Sequence, residues 1–190
     1  MSKPFAERSG KGVVLVNGIP ASGKSRISDA LATATGWPIL SLDSIKNPFL
    51  QHIPNVDRQF NRLLGIASYQ AIWSLVANAP PGNTFIIDAW FGFQPKERLQ
   101  ACLTEAGVTR LAEVWCQIPG ELAAQRYKVR LAERLPGHPG AEYLPELIEL
   151  AKRAEPMKLG PLFIVDQTRF ADIEKLTLWI KEALSESDIN

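Results

Sequence analysis

The chain has 190 residues, 46% hydrophobic and 22% charged, an ordinary globular composition sized for one domain. A formal charge of +1 supplies no basic field for nonspecific nucleic-acid binding, and no apolar run approaches the length of a membrane span. Cys102 and Cys116, the two cysteines, sit in no CxxC or Cys/His cluster and read as reduced core thiols of a cytoplasmic protein. Met1 to Lys11 is polar and lacks the apolar region of a signal peptide.

The β-branched run Val13 to Asn17 predicts a strand, and Gly18-Ile19-Pro20-Ala21-Ser22-Gly23-Lys24-Ser25 follows it directly. The pattern G-x-x-x-x-G-K-[ST] between a strand and a helix is a phosphate-binding loop. Gly18 turns the chain sharply off the strand, and Gly23 lets the backbone close on the phosphates. Successive N–H groups form a nest, and the next helix adds its positive dipole end. Lys24 is expected to reach the β- and γ-phosphates, and the Ser25 hydroxyl to ligate Mg²⁺. The nucleotide-binding set expected here is Gly18, Ala21, Ser22, Gly23, Lys24 and Ser25, with Arg26 after it.

Ile27, Ala30, Leu31 and Ala34 recur at helical spacing, and Gly36 stops that helix. Pro38 to Leu42 predicts a second strand ending in Asp43; two strands joined by one helix imply a parallel crossover. Residues 44–57, interrupted by Pro48 and Pro54, read as a loop with a short helix. A long amphipathic helix follows from Asp57 to Asn78, its apolar face carrying Phe60, Leu63, Leu64, Ala67, Ala71, Ile72, Leu75 and Val76. Thr84 to Asp88 is a third strand, apolar on both faces, and Pro95 opens a helix that Gly107 closes. Leu111 to Ile118 is the fourth strand. Pro119-Gly120-Glu121 starts a helix running to about Arg134, and Pro136-Gly137-His138-Pro139-Gly140 breaks it with a candidate movable flap. A helix over 144–154, a strand over 162–165 and a closing helix over 173–184 complete an α/β three-layer domain.

Ligands of open parallel sheets bind beyond the carboxyl ends of the strands. That rule groups the phosphate loop with Asp43, Asp88 and the segment Asp166-Gln167-Thr168. Asp88, at the end of an apolar strand, suits a Mg²⁺-holding acid, although a loop cap also explains it. Asp43 suits the carboxylate that phosphoryl transfer needs beside an acceptor hydroxyl, or else an N-cap. Arg126, Arg130 and Arg134, at i, i+4 and i+8, form a cationic face suited to nucleotide phosphates, with one arginine stabilising the transferring group. Pairing with Glu121 or Glu133 on a wet helix face is the alternative. Lys46 either binds an anionic substrate group or is solvated, and neither His52 nor His138 is assigned a role. Trp90, Phe91 and Phe93 wall an acceptor pocket or bury the sheet edge; Trp73, Trp115 and Trp179 read as core.

With these residues in view, the chain resembles the P-loop small-molecule kinases of the nucleoside-monophosphate-kinase-like type. Within them it looks most like the AAA-type or zeta-toxin-like ATP-binding kinases, related to chloramphenicol phosphotransferase and gluconate kinase. The likeness runs from Val13 to Leu184. It is carried by Gly18 to Ser25, Asp43, Asp88, the R-x-x-x-R of Arg126 and Arg130, and Val165-Asp166-Gln167-Thr168. The resemblance implies a five-stranded parallel sheet of order 2-3-1-4-5, ATP with Mg²⁺ as donor, and a lid at about 126–143 closing over the phosphates. It implies that Thr168 lies by the adenine, and that Asp43 orients or deprotonates the acceptor hydroxyl. An acceptor region falls at about 44–78, and its segment between Ser44 and Asp57 matches no assignable acceptor-binding pattern.

The expected function is ATP-dependent phosphorylation of a hydroxyl on a small molecule such as a sugar, sugar acid, nucleoside or antibiotic. Lys24, Arg130 and Mg²⁺ neutralise charge in that scheme. Two alternatives stay open: a polynucleotide or nucleotide-sugar (toxin-type) kinase, which the near-zero charge disfavours, and a non-catalytic ATP-binding regulator. GTP is not excluded as donor, and no oligomeric state is implied.

Overall fold

Alternate residues of an extended chain face opposite ways, so a strand apolar at every position needs cover on both faces. The first strand, β1 (Lys11–Asn17), is such a strand over Val13 to Val16 and is buried throughout. Its Val13 and Leu15 enter one core cluster; Val14 and Val16 enter another. The structure, a computed structural model, describes residues 10–135 and 137–186. The polar segment before Gly10 and Pro136 of the expected flap lie outside the described residues.

After β1 come α1 (Lys24–Thr35), β2 (Ile39–Ser41), α2 (Leu42–His52), α3 (Arg58–Asn78), β3 (Thr84–Asp88) and α4 (Lys96–Glu105). The second half contains β4 (Val108–Gln117), α5 (Gly120–Val129), α6 (Leu144–Arg153), β5 (Leu162–Asp166) and α7 (Ile173–Glu186), with 3₁₀ turns at Leu131–Glu133 and Ala141–Tyr143. The five strands pair in parallel in the order β2-β3-β1-β4-β5, as the resemblance implies. Tyr69, Ile72, Trp73 and Val76 of α3, with Leu99 and Leu103 of α4, cover one face. Ile27 and Leu31 of α1, with Leu176 and Ile180 of α7, cover the other. A third cluster, Ile19, Ile118, Ala123, Tyr127 and Leu147, ties α5 and α6 to the phosphate loop. No described helix is long and apolar enough to cross a membrane.

Three expectations need correction. Pro48 does not break the chain into a loop: α2 runs through it for 11 residues. An interior proline costs about 3 kcal/mol, and burial of Leu50 and of the Lys46 stem on the same helix offsets it. Nor does α5 reach Arg134; it ends at Val129, and Arg130 (φ −90°, ψ 0°) passes the chain into a 3₁₀ turn. Finally, Phe60, Leu63 and Leu75 of α3 are 39%, 55% and 52% exposed, so they do not form its core face. The helix carries two apolar stripes, and the one with the bulky Tyr69–Trp73 pair, stacked edge-on, meets the sheet.

Register sets the site. Asp88 is level with Val16 of β1 on one side and Ser41 of β2 on the other. The phosphate loop, the third-strand acid and the start of α2 therefore leave the sheet in one row. A buried carboxylate fixes the base of that row. Glu113 of β4, fully inaccessible, accepts hydrogen bonds from Asn17 Nδ2 (2.8 Å), Met157 N–H (2.9 Å) and Lys158 N–H (2.8 Å). Asn17 in turn accepts from the N–H groups of Gly18 (2.8 Å) and Phe91 (3.2 Å) through Oδ1. Replacing Glu113 by Ala strands three donors, two of them in buried bonds, so urea unfolding of that variant is expected to show a loss of about 3 kcal/mol or more.

Candidate active site

Two adjoining cavities open at the carboxyl edge of the sheet, one of about 310 Å³ and one of about 620 Å³. Gly23, Arg26 and Arg130 line both. The first gathers Ala21, Lys24, Ser25, Asp43, Asp88 and Arg134 around those three. The second adds Arg126 and Thr168, with Gln167 and Phe170. Gly18 and Ser22 line neither cavity and form the underside of the loop.

The loop's shape depends on the two glycines. A Cβ at Gly18 would lie 2.6 Å from Ser22 Oγ and 2.9 Å from the Cys116 carbonyl oxygen, inside contact distance. At Gly23 (φ +94°) it would meet Gln167 Oε1 at 2.6 Å in a left-handed conformation. Ala21 is left-handed as well, at φ 61°, which places strain at the tip of the loop. Lys24 Nζ donates to the carbonyls of Gly18 (2.8 Å) and Ile19 (2.9 Å). An ammonium has three donors, so one remains for an anion in the cavity. Burial lowers the Lys24 pKa, and the charge of Asp88 opposes that shift.

Asp88 is 5% exposed; burial raises its pKa, while Lys24 and a hydrogen bond from Ser25 pull it down. A carboxylate and a hydroxyl in contact, both hard oxygen donors, suit Mg²⁺, which takes few protein ligands and completes its shell with phosphate and water. Ser25 and Asp88 thus fit the expected metal-holding pair.

Asp43 does not end β2, nor does it cap a helix. It is the second residue of α2, after the N-cap Ser41, and its carboxylate lies 3.7 Å from Lys46 Nζ. The arginines divide between the cavities. Arg126 donates to the Gln167 carbonyl (2.9 Å). Arg134 stacks on Tyr127, 4.0 Å from the ring centroid, and donates to the Tyr127 hydroxyl (3.2 Å). Thr168 donates through Oγ1 to Asp166 (2.6 Å), while Arg26 lies over the Phe170 ring at 5.4 Å. Neither Glu121 nor Glu133 forms an ion pair with these arginines among the described residues.

Sequence reasoning missed several residues of the first cavity. His138 of the Pro/Gly segment reaches it, with Nε2 3.2 Å from Asn47 Oδ1 and Nδ1 3.5 Å from Arg134 Nη1. The Tyr127 hydroxyl donates to the Pro139 carbonyl (2.8 Å), so this segment is tied down over the cavity. Asn61 and Tyr143 line it too, while Lys46 and Trp90 do so as one of the two readings given for each; Phe91 is fully buried and Phe93 is 48% exposed. Only the supporting pair Asn17 and Glu113 left a signal: an acid inside the apolar run Leu111 to Cys116 demands buried partners.

Residues 13–146 match the AAA domain family. The chain belongs to that family. No curated protein matches it. Among solved structures it is similar to a protein of Chloroflexus aurantiacus provisionally named a kinase: 29% identity, TM-score 0.80, 92% of this chain and 99% of that one covered. The fold is shared by a gluconokinase from Sinorhizobium meliloti 1021 (19%, TM-score 0.52, covering 95% and 92%). It is shared as well by deoxyadenosine kinase from M. mycoides (16%, TM-score 0.55, covering 91% and 98%). The AAA-domain chain described here therefore has a P-loop NTPase-like α/β fold.

Burial and then Lys46 hold the His138 pKa down to about 4 against the opposing pull of Asp43, with a smaller push from Arg134. The imidazole is thus neutral in the folded chain and takes up a proton on unfolding below about pH 6.5. That contribution to stability is complete above about pH 6.5 and is lost as pH falls toward about 4. The melting temperature of the wild type should consequently drop more between about pH 7 and about pH 5 than that of His138→Gln, in which this proton uptake is gone.

Proposed function

We propose that this chain is an ATP- and Mg²⁺-dependent phosphotransferase that phosphorylates a hydroxyl of a small molecule. The observation that carries the reading is one cavity lined by Lys24, Ser25, Asp43, Asp88 and Arg130. It joins a phosphate loop to the Asp43 carboxylate, whose one ion pair among the described residues is the 3.7 Å contact with Lys46. Likeness to the Chloroflexus protein, and the fold shared with gluconokinase and deoxyadenosine kinase, support it.

The loop N–H groups and Lys24 bind the phosphates, and Arg130, shared by both cavities, faces the transferring group. The base rests in the larger cavity, where Phe170 and Val129, 89% and 77% exposed, offer apolar surface beside Arg126 and Thr168. Asp43 accepts the proton of the acceptor hydroxyl as its oxygen bonds to the γ-phosphorus and the bond to the β–γ bridging oxygen breaks. Ser25 and Asp88 would hold Mg²⁺, which when bound neutralises charge on the donor phosphates. The segment over 126–143 acts as a lid that opens for exchange and excludes water when closed. Two buried, unpaired thiols, Cys116 pushed up to about 12 by burial, fit a cytoplasmic setting.

Lys24→Ala should lower acceptor-dependent ADP release by about tenfold or more with the circular dichroism spectrum unchanged. Asp43→Asn should abolish acceptor stimulation while leaving ATP affinity within about threefold of wild type. Full activity in either variant contradicts the reading. ATP binding with no stimulation by any alcohol would instead indicate a nucleotide-binding regulator.

A further inference from the structure

The acceptor half of the first cavity carries an imbalance of charge. Lys46 is buried, its side chain 9% exposed, and its one ion pair among the described residues is the 3.7 Å contact with Asp43. Arg134 has no carboxylate in ion-pair range among the described residues; Nη1 meets the Tyr127 hydroxyl and lies 3.5 Å from the His138 ring, and Nε is buried without a partner. Two cations therefore face one carboxylate, and burial together with Arg134 disfavours the charged form of Lys46. A neutral imidazole at His138 adds no counter-charge. Removing a cation from water without a partner is costly, so a lysine kept in this position calls for an anion.

On the proposed reading the donor phosphates are met by the loop N–H groups, Lys24 and Arg130, which leaves the charge of Lys46 for another group. Lys46 stands one turn beyond Asp43 on the same face of α2, so a group bound to it neighbours a hydroxyl bound to Asp43. Across the cavity the side-chain oxygen of Asn61 is buried with no partner and can accept a further O–H.

From this juxtaposition we infer that the acceptor is a hydroxylated anion, bearing a carboxylate or phosphate a few bonds from the reacting hydroxyl, and that Lys46 with Arg134 selects it. The inference rests on the kinase reading for the role of Asp43. Its ligand class does not depend on turnover.

The test compares charged and neutral partners of matched shape: D-gluconate with D-sorbitol, D-glucose 6-phosphate with D-glucose, and AMP with adenosine. Binding is measured by calorimetry with ADP and Mg²⁺ saturating, and ADP release from ATP in parallel, on wild type, Lys46→Met and Lys46→Arg. At least one charged probe should bind about tenfold or more tightly than its neutral partner. Lys46→Met should erase that preference and raise KM for the charged probe more than it lowers kcat, and Lys46→Arg should restore part of it. The wild-type comparison stands even if Lys46→Met does not fold. Carboxylate and phosphate are told apart by which pair responds. Charged probes that bind no better than neutral ones, or a preference that survives Lys46→Met, overturn the inference. Selective anion binding without ADP release leaves the anion site standing and removes the kinase reading, whereas ADP release driven by neutral alcohols alone does the reverse.

Discussion

The Gly18 amide is held by the side chain of Asn17, and Asn17 is held by a carboxylate with no access to solvent. Glu113 sits inside the sheet and has three N–H donors aimed at it, two of them from the chain that leads into β5. Because Asn17 also takes the Phe91 N–H, the start of the phosphate loop and the chain just past Asp88 are fixed to one side chain. A loop whose tip has Ala21 and Gly23 in left-handed conformations needs such an anchor, since nothing in its own propensities keeps it there. Low dielectric strengthens each of these bonds and makes each costly to break, which turns a polar cluster in the core into a rigid mount.

On that mount the electrostatics of the cavity are pre-set. Lys24 bonds to carbonyls of its own loop, and burial disfavours its charge while Asp88 favours it. Asp88 experiences the same balance, its charge disfavoured by burial and favoured by Lys24. Each group is thus a buried charge balanced mainly by the other, and on the proposed reading phosphate oxygens and a divalent cation would complete both. Such an arrangement spends little reorganisation at the moment of binding. Arg134 and His138 bring the segment after α5 into the same field, so the roof of the cavity carries part of its charge.

Much of this was legible in the sequence because it is local. The phosphate loop, Asp88 at the end of β3, and the alternation of strands and helices follow from patterns spanning fewer residues than one element. The sheet order came with the family resemblance, not from periodicity. What escaped was tertiary. Pro48 reads as a helix breaker unless the packing of Leu50 beside it is known. Two apolar stripes on α3 are indistinguishable until the sheet covers one. His138 belongs to the site only because the chain folds back to Asn47, and that distance of 91 positions in sequence leaves no short-range signal. Lys46 was visible as a charge, but its burial was not.

The central claim is transfer of a phosphoryl group to a small alcohol, and following the γ-phosphate tests it most directly. The protein is incubated with [γ-³²P]ATP, Mg²⁺ and a deproteinised pool of small metabolites, and the products are separated by chromatography. Label is expected in an acid-stable, low-molecular-weight phosphomonoester that disappears in Lys24→Ala. Label confined to ATP, to inorganic phosphate or to the protein itself would contradict it.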